Sequence, residues 1–122
     1  PTAVVTEAIS LAAITMTNHL KAAAIITLTE SGFTSRQISK YRPDCPIIAV
    51  TMSQKVVRRL TMNWGVSAVH YKGDADDKAK IAAGIAWACD RGIVTKGDIV
   101  VATAGVSSEI GSTNMLCAVD VP

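Results

Sequence analysis

Aromatic side chains are nearly missing from this sequence, which has two Trp, two Tyr and one Phe among its 122 residues. A core with so few rings has to be filled by Ala, Val and Ile, which suits helices packed closely on a buried sheet. Cysteine is also scarce. Cys45, Cys89 and Cys117 are odd in number and far apart, and no pair has the spacing that a zinc site or a redox dithiol requires. They read as small buried hydrophobes of a protein kept in a reducing compartment, the cytoplasm. Strong charge is lacking as well. A net charge of +2, with basic residues scattered and no aromatics between them, gives no electrostatic footprint for nucleic acid. No apolar run is long enough to span a bilayer, and residues 1–20 carry no basic leader before an apolar stretch. Neither a membrane span nor a secretory signal is therefore expected.

What remains is apolar bulk. Hydrophobic residues make up 49% of the chain and charged ones 18%, the composition of a packed globule rather than a disordered chain. The length predicts one domain over residues 1–122, burying roughly two thirds of the chain's surface on folding.

Val4, Val5, Ala8, Ile9, Ala12, Ala13, Met16 and Leu20 recur at three-to-four spacing, with Glu7, Thr15 and Asn18 between them, which predicts an amphipathic helix over 4–20. Ala22 to Leu28 is a short continuous apolar run that reads as a buried strand. Thr34 and Gln37 have capping-box spacing, predicting a helix over 35–41 that Arg42-Pro43 ends, because a residue before proline is pushed out of the helical region. A second strand is expected over 46–51. Ser53 can cap a third helix with Val56, Val57 and Leu60 facing inward, and Gly65 is a candidate left-handed stop. A third strand follows over 67–71. Asp74, Asp76 and Asp77 open a long helix that Gly92 closes after Arg91, negative charge complementing the positive helix end. A fourth strand is expected over 99–103 and a fifth over 115–121, joined by a loop from Gly105 to Asn114. Strands alternating with helices call for a parallel sheet covered on both faces. The last strand has no helix before it and should return antiparallel at an edge. The expected fold is thus α/β, a three-layer α/β/α sandwich. Its mixed five-stranded sheet has four parallel strands and an antiparallel C-terminal edge strand.

The most informative local feature is strand, then Thr29-Glu30-Ser31-Gly32-Phe33-Thr34, then helix. Open parallel sheets bind ligands beyond the carboxyl ends of their strands, and a helix start there offers N–H groups and a positive dipole end to a phosphate. A glycine-containing turn with a good cap has the same pattern. The loop over 105–114, with Gly111-Ser112-Thr113-Asn114, also leaves the carboxyl end of a strand, so the two segments could face one ligand. Other candidates fade. Gly92 and Gly97 have phosphate-loop spacing, but Asp98 and Ile99 stand where Lys and Ser or Thr are required. No G-x-G-x-x-G occurs, His19 and His70 have no second ligand at metal-binding spacing, and Asp74, Asp76 and Asp77 lack the Gly and closing Glu of a calcium loop. No catalytic residue and no metal ligand is assigned.

Five motifs nevertheless stand in the order and spacing of the pyruvate kinase C-terminal domain: Thr29-Glu30-Ser31-Gly32; Tyr41-Arg42-Pro43 with Pro46-Ile47-Ile48-Ala49-Val50-Thr51; Trp64-Gly65-Val66; Gly97-Asp98; and Gly111-Ser112-Thr113-Asn114. The chain resembles that domain over essentially its whole length. The resemblance implies an effector site whose phosphate is held by Thr29, Ser31, Gly32, Phe33 and Thr34, with Gly111, Ser112 and Thr113 closing over it. Lys80 matches the position from which some members meet a second phosphate, as a point charge in place of an arginine fork. It further implies an excised domain of a larger glycolytic enzyme, a homo-oligomer, that converts phosphoenolpyruvate and ADP to pyruvate and ATP. The Mg and K ions of that family serve the full enzyme, and no cofactor is implied for this domain.

Glu30 departs from many effector-responsive members. A carboxylate about 6 Å from a phosphate costs on the order of 3 kcal/mol per unit charge at an effective dielectric near 20, whereas a helix end returns only about 0.3 to 2 kcal/mol. Unless Glu30 points away, fructose 1,6-bisphosphate is disfavoured and a sugar monophosphate or AMP is the expected partner. On the effector reading, the amides opening the second helix are expected to be free to take the anion. Two other readings stay open: a structural assembly domain without effector binding, and a stand-alone relative that takes a phosphorylated small molecule.

Overall fold

A computed structural model describes residues 2–105 and 113–122. The apolar runs too short for helices form strands: β1 (Ala24–Leu28), β2 (Ile47–Thr51), β3 (Val66–His70), β4 (Ile99–Gly105) and β5 (Thr113–Asp120). They make one sheet in the order β3-β2-β1-β4-β5. The first four run parallel to one another, and β5 returns antiparallel to β4 at the edge, in line with the missing crossover helix. The helices are α1 (Thr2–Leu20), α2 (Phe33–Lys40), α3 (Gln54–Leu60) and α4 (Asp77–Asp90).

Alternation along the strands sorts the core into two faces. Ala24, Ile26, Leu28, Ile48, Val50, Val100 and Ala102 pack with Ile85 and Ala88 of α4. Ile25, Ile47 and Val101 pack with Ala13 of α1 and Ile38 of α2, and Ala49 packs with Val56 and Leu60 of α3. The three-layer sandwich thus has α4 on one side of the sheet and α1, α2 and α3 on the other. Gly84 brings α4 close to the sheet, since a Cβ there would stand 3.0 Å from Val50 Cγ2 and 3.4 Å from Ile26 Cγ2.

Caps set the helix ends. Ser53 Oγ accepts from Val56 N at 3.3 Å and Asp76 Oδ2 from Ala79 N at 3.1 Å, so each opens its helix by satisfying an amide that has no partner within it. Gly92 (φ +72) supplies the left-handed residue that ends α4.

Three expectations need correction. On α1 the expected apolar stripe is buried only in part: Ala13 is buried and Ile9, Met16 and Leu20 are half-buried, but Val4, Val5, Ala8 and Ala12 are exposed, and Thr6, Ser10 and Thr17 are buried beside Ala13. Small side chains make the fully buried line of this helix, with Ile14 and Met16 packed beside it and Val4, Val5 and Leu11 turned outward. Cys89 and Cys117 are exposed, on the solvent side of α4 and on the edge strand, and only Cys45 is partly buried. The loop expected over 105–114 is shorter, because β4 runs on to Gly105 and pairs with Thr113, past a register shift at Ala104/Gly105.

Two outcomes follow from this packing. Gly84→Val should lower stability by about 1–3 kcal/mol through overpacking against Val50 and Ile26, seen as a lower urea midpoint at unchanged slope. Burial pushes the Cys45 thiol up from 9.0 to about 11, with Asp44 acting in the same direction against a backbone hydrogen bond. A raised folded-state value means the native thiol holds its proton where the unfolded one has lost it, so this contribution is full below pH 9 and is lost as pH rises to 11. Thermal melts across that window should therefore fall less steeply for Cys45→Ala than for the parent, and equal slopes would refute the assignment.

Candidate functional site

The turn after β1 is built from its own hydroxyls. Thr29 N makes the last sheet bond, to Val50 O at 3.1 Å, and the chain then leaves the sheet. Gly32 is the cap residue of α2 at φ +83, a left-handed conformation that L side chains rarely adopt. A Cβ there would also stand 3.0 Å from both Arg36 Nη1 and Leu60 Cδ2. Gly32 N donates to Thr29 Oγ1 at 2.7 Å, and Phe33 N donates to Ser31 Oγ at 3.2 Å. Arg36 braces the turn from one helical turn further on: its Nη1 donates to Ser31 O at 3.2 Å and its amide to Gly32 O at 3.0 Å. Beneath, Ser35 Oγ and Thr27 Oγ1 lie 2.7 Å apart and pin α2 to β1.

The helix therefore starts at Phe33, and the Thr34–Gln37 capping box does not form: Thr34 lies buried inside the first turn. A left-handed glycine reverses the chain so sharply that the helix begins two residues before the expected Ser35. The expectation of free amides is corrected in the same way. Those of Gly32 and Phe33 are already hydrogen-bonded to Thr29 and Ser31, so this turn faces an incoming anion with hydroxyl groups rather than bare amides. A hydroxyl that accepts an amide hydrogen still has its own hydrogen to donate.

Glu30 points toward the neighbouring strand tip. Its Oε1 accepts from Met52 N at 3.2 Å, and His70 Nε2 lies 3.2 Å from Met52 O. Residues following β1 and β2 and the last residue of β3 are thus tied together at the carboxyl end of the sheet, by a clamp that no sequence motif signals. The structure gathers Thr29, Ser31, Gly32, Phe33 and Thr34 in one turn. Lys80 is half-buried near the start of α4, the helix on the other face of the sheet from α2. Gly111 and Ser112 lie outside the described residues, and Thr113 opens β5 in register with Gly105. Arg36 is the addition that sequence reasoning missed; a cation one turn past Gly32 was its only signal. Among the described residues no helix is long and apolar enough to cross a membrane.

Comparison with known proteins agrees with this architecture. Residues 7–119 match the family described as "Pyruvate kinase, alpha/beta domain". A pyruvate kinase of Clostridium acetobutylicum is 45% identical over 111 residues, covering 90% of this chain and 24% of the relative. One from Staphylococcus aureus is 46% identical over 99 residues (80% of this chain, 17% of the relative). A third, from Bacillus licheniformis, is 39% identical over 112 residues (92% and 19%). The chain thus spans between 17% and 24% of the length of these relatives. A match along nearly the whole of this chain and a small part of each relative, on an α/β fold with a mixed five-stranded sheet, has one meaning: the chain belongs to the pyruvate kinase α/β-domain family, the C-terminal domain of that enzyme.

Proposed function

We propose that this domain serves regulation and assembly in a cytoplasmic pyruvate kinase, a homo-oligomer that passes phosphate from phosphoenolpyruvate to ADP. In this role it holds a phosphorylated effector, a sugar monophosphate or AMP, at the Thr29–Thr34 turn, with Gly111, Ser112 and Thr113 on the facing segment. The supporting observation is the turn itself, which is hydroxyl-lined, opened by a left-handed glycine at a strand's carboxyl end, and followed by a helix without an acid in its first turn. Thr29 and Ser31 relay the helix amides: each accepts from the backbone and can donate its own hydrogen to a phosphate oxygen, so donors in series polarise one another. The engagement of Glu30 with Met52 N draws the carboxylate toward β2, which lessens the repulsion that one phosphate would meet. Lys80 would serve a second anionic group.

One observation favours a competing reading, an assembly domain without an effector: the amides of Gly32 and Phe33 already have internal partners. Calorimetry of the chain with ribose 5-phosphate, glucose 6-phosphate and AMP separates the two. Effector binding predicts saturable heat with at least one of them, weakened about tenfold or more in Ser31→Ala, and none with ribose or glucose. The absence of heat from every phosphate compound, joined to effector-independent kinetics of the full enzyme, would leave assembly as the role.

A further inference from the structure

A second cleft opens on the outer side of α2, against the turn that leads into β3. Its volume is about 500 Å³, the size of a small-ligand site. Arg36, Lys40 and Arg42 line it together with Gln37, Asn63 and Trp64, and no acidic residue is among its lining residues. The wall is fixed, since Ser39 Oγ donates to Trp64 O at 2.7 Å and fastens α2 to the turn. Arg36 and Lys40, four residues apart on a helix, are neighbours on one face.

Arg42 carries the most telling detail. Its φ is +45, a left-handed conformation unfavourable for a residue with a Cβ, and it immediately precedes Pro43. That backbone sets its guanidinium 5.3 Å from the centroid of the Trp64 ring, at the cleft. This is the conformation of a helix stop, with Arg42 N donating to Ser39 O at 3.0 Å, and it fixes the direction in which the side chain leaves α2. A concave surface whose charged lining residues are all cations focuses its field on an incoming anion. Guanidinium groups suit the geometry of phosphate oxygens, Arg36 with the nitrogens it does not spend on Ser31 O, and a lysine adds a point charge.

We propose that this cleft is an oligophosphate-binding site: it takes a small molecule with two or more linked phosphate groups, held by Arg36, Lys40 and Arg42 beside Trp64. It adjoins the Thr29–Thr34 turn, sharing Phe33 with it and Arg36 as the brace between them, but does not depend on effector binding there. Sodium pyrophosphate and tripolyphosphate are the probes, titrated into the chain at low ionic strength and followed by calorimetry and tryptophan fluorescence. The expected result is saturable binding at one site per chain with a fluorescence change that Trp64→Phe abolishes. Lys40→Gln and Arg42→Asn should each weaken binding about tenfold, a loss of ~1.4 kcal/mol, and Ser31→Ala should leave it unchanged. Asn tolerates the left-handed backbone, so Arg42→Asn should melt no lower than the parent and a loss of binding cannot be put down to misfolding. Equal affinity for citrate, unchanged binding in Arg42→Asn, or loss of binding in Ser31→Ala would each overturn the proposal.

Discussion

The central strand has to satisfy its backbone on both sides and bury both of its faces. Ala24–Leu28 is buried at every position and pairs in parallel with β2 on one side and β4 on the other. Parallel partners cannot be joined by tight turns, so each connection must cross back over the sheet, and every parallel strand then delivers its carboxyl end to the same edge. The site begins with that constraint: Thr29, Met52 and His70 meet at this edge because the strands share a direction.

The two faces of the sheet are bound by different chemistry. The side toward α4 is an aliphatic layer in which Gly84 allows the closest approach. Hydroxyls run through the opposite side. The buried polar residues of the described chain are all Ser or Thr, and Thr6, Ser10 and Thr17 on α1 and Thr34, Ser35 and Ser39 on α2 are among them. Ser10 Oγ is satisfied within its own helix, donating to Thr6 O at 2.8 Å, whereas Ser35 and Ser39 tie α2 to Thr27 of β1 and to Trp64 before β3. Thr17 Oγ1 and Thr103 Oγ1 are buried without a hydrogen-bond partner among the described residues, and the fold supplies no reason for either.

The sheet was legible because its signals are redundant. Ile- and Val-rich runs, glycine stops at Gly65 and Gly92 and the caps Ser53 and Asp76 all agree, and the lack of a helix before the last strand announced its reversal. The failures share one cause: spacing shows which residues lie on one side of a helix, but not how close the neighbouring layer comes. On α1 the periodic apolar residues Val4 and Val5 look like the core side, yet Thr6 and Ser10 are buried in line with the expected Ala13. At α2, Thr34 and Gln37 have capping spacing, but the left-handed Gly32 starts the helix earlier and draws Thr34 inside. Partners distant in sequence, such as Glu30 with Met52 N or Ser39 with Trp64 O, leave no local pattern.

The self-satisfied turn also has a kinetic consequence. Thr29 and Ser31 already stand where the helix needs acceptors, and a hydroxyl hydrogen can be redirected by rotation about a single C–O bond. Such a rotation moves no heavy atom, whereas loop rearrangements extend into microseconds. The turn can thus change whom it donates to while its backbone stays still, so an arriving anion would wait on diffusion and not on the protein.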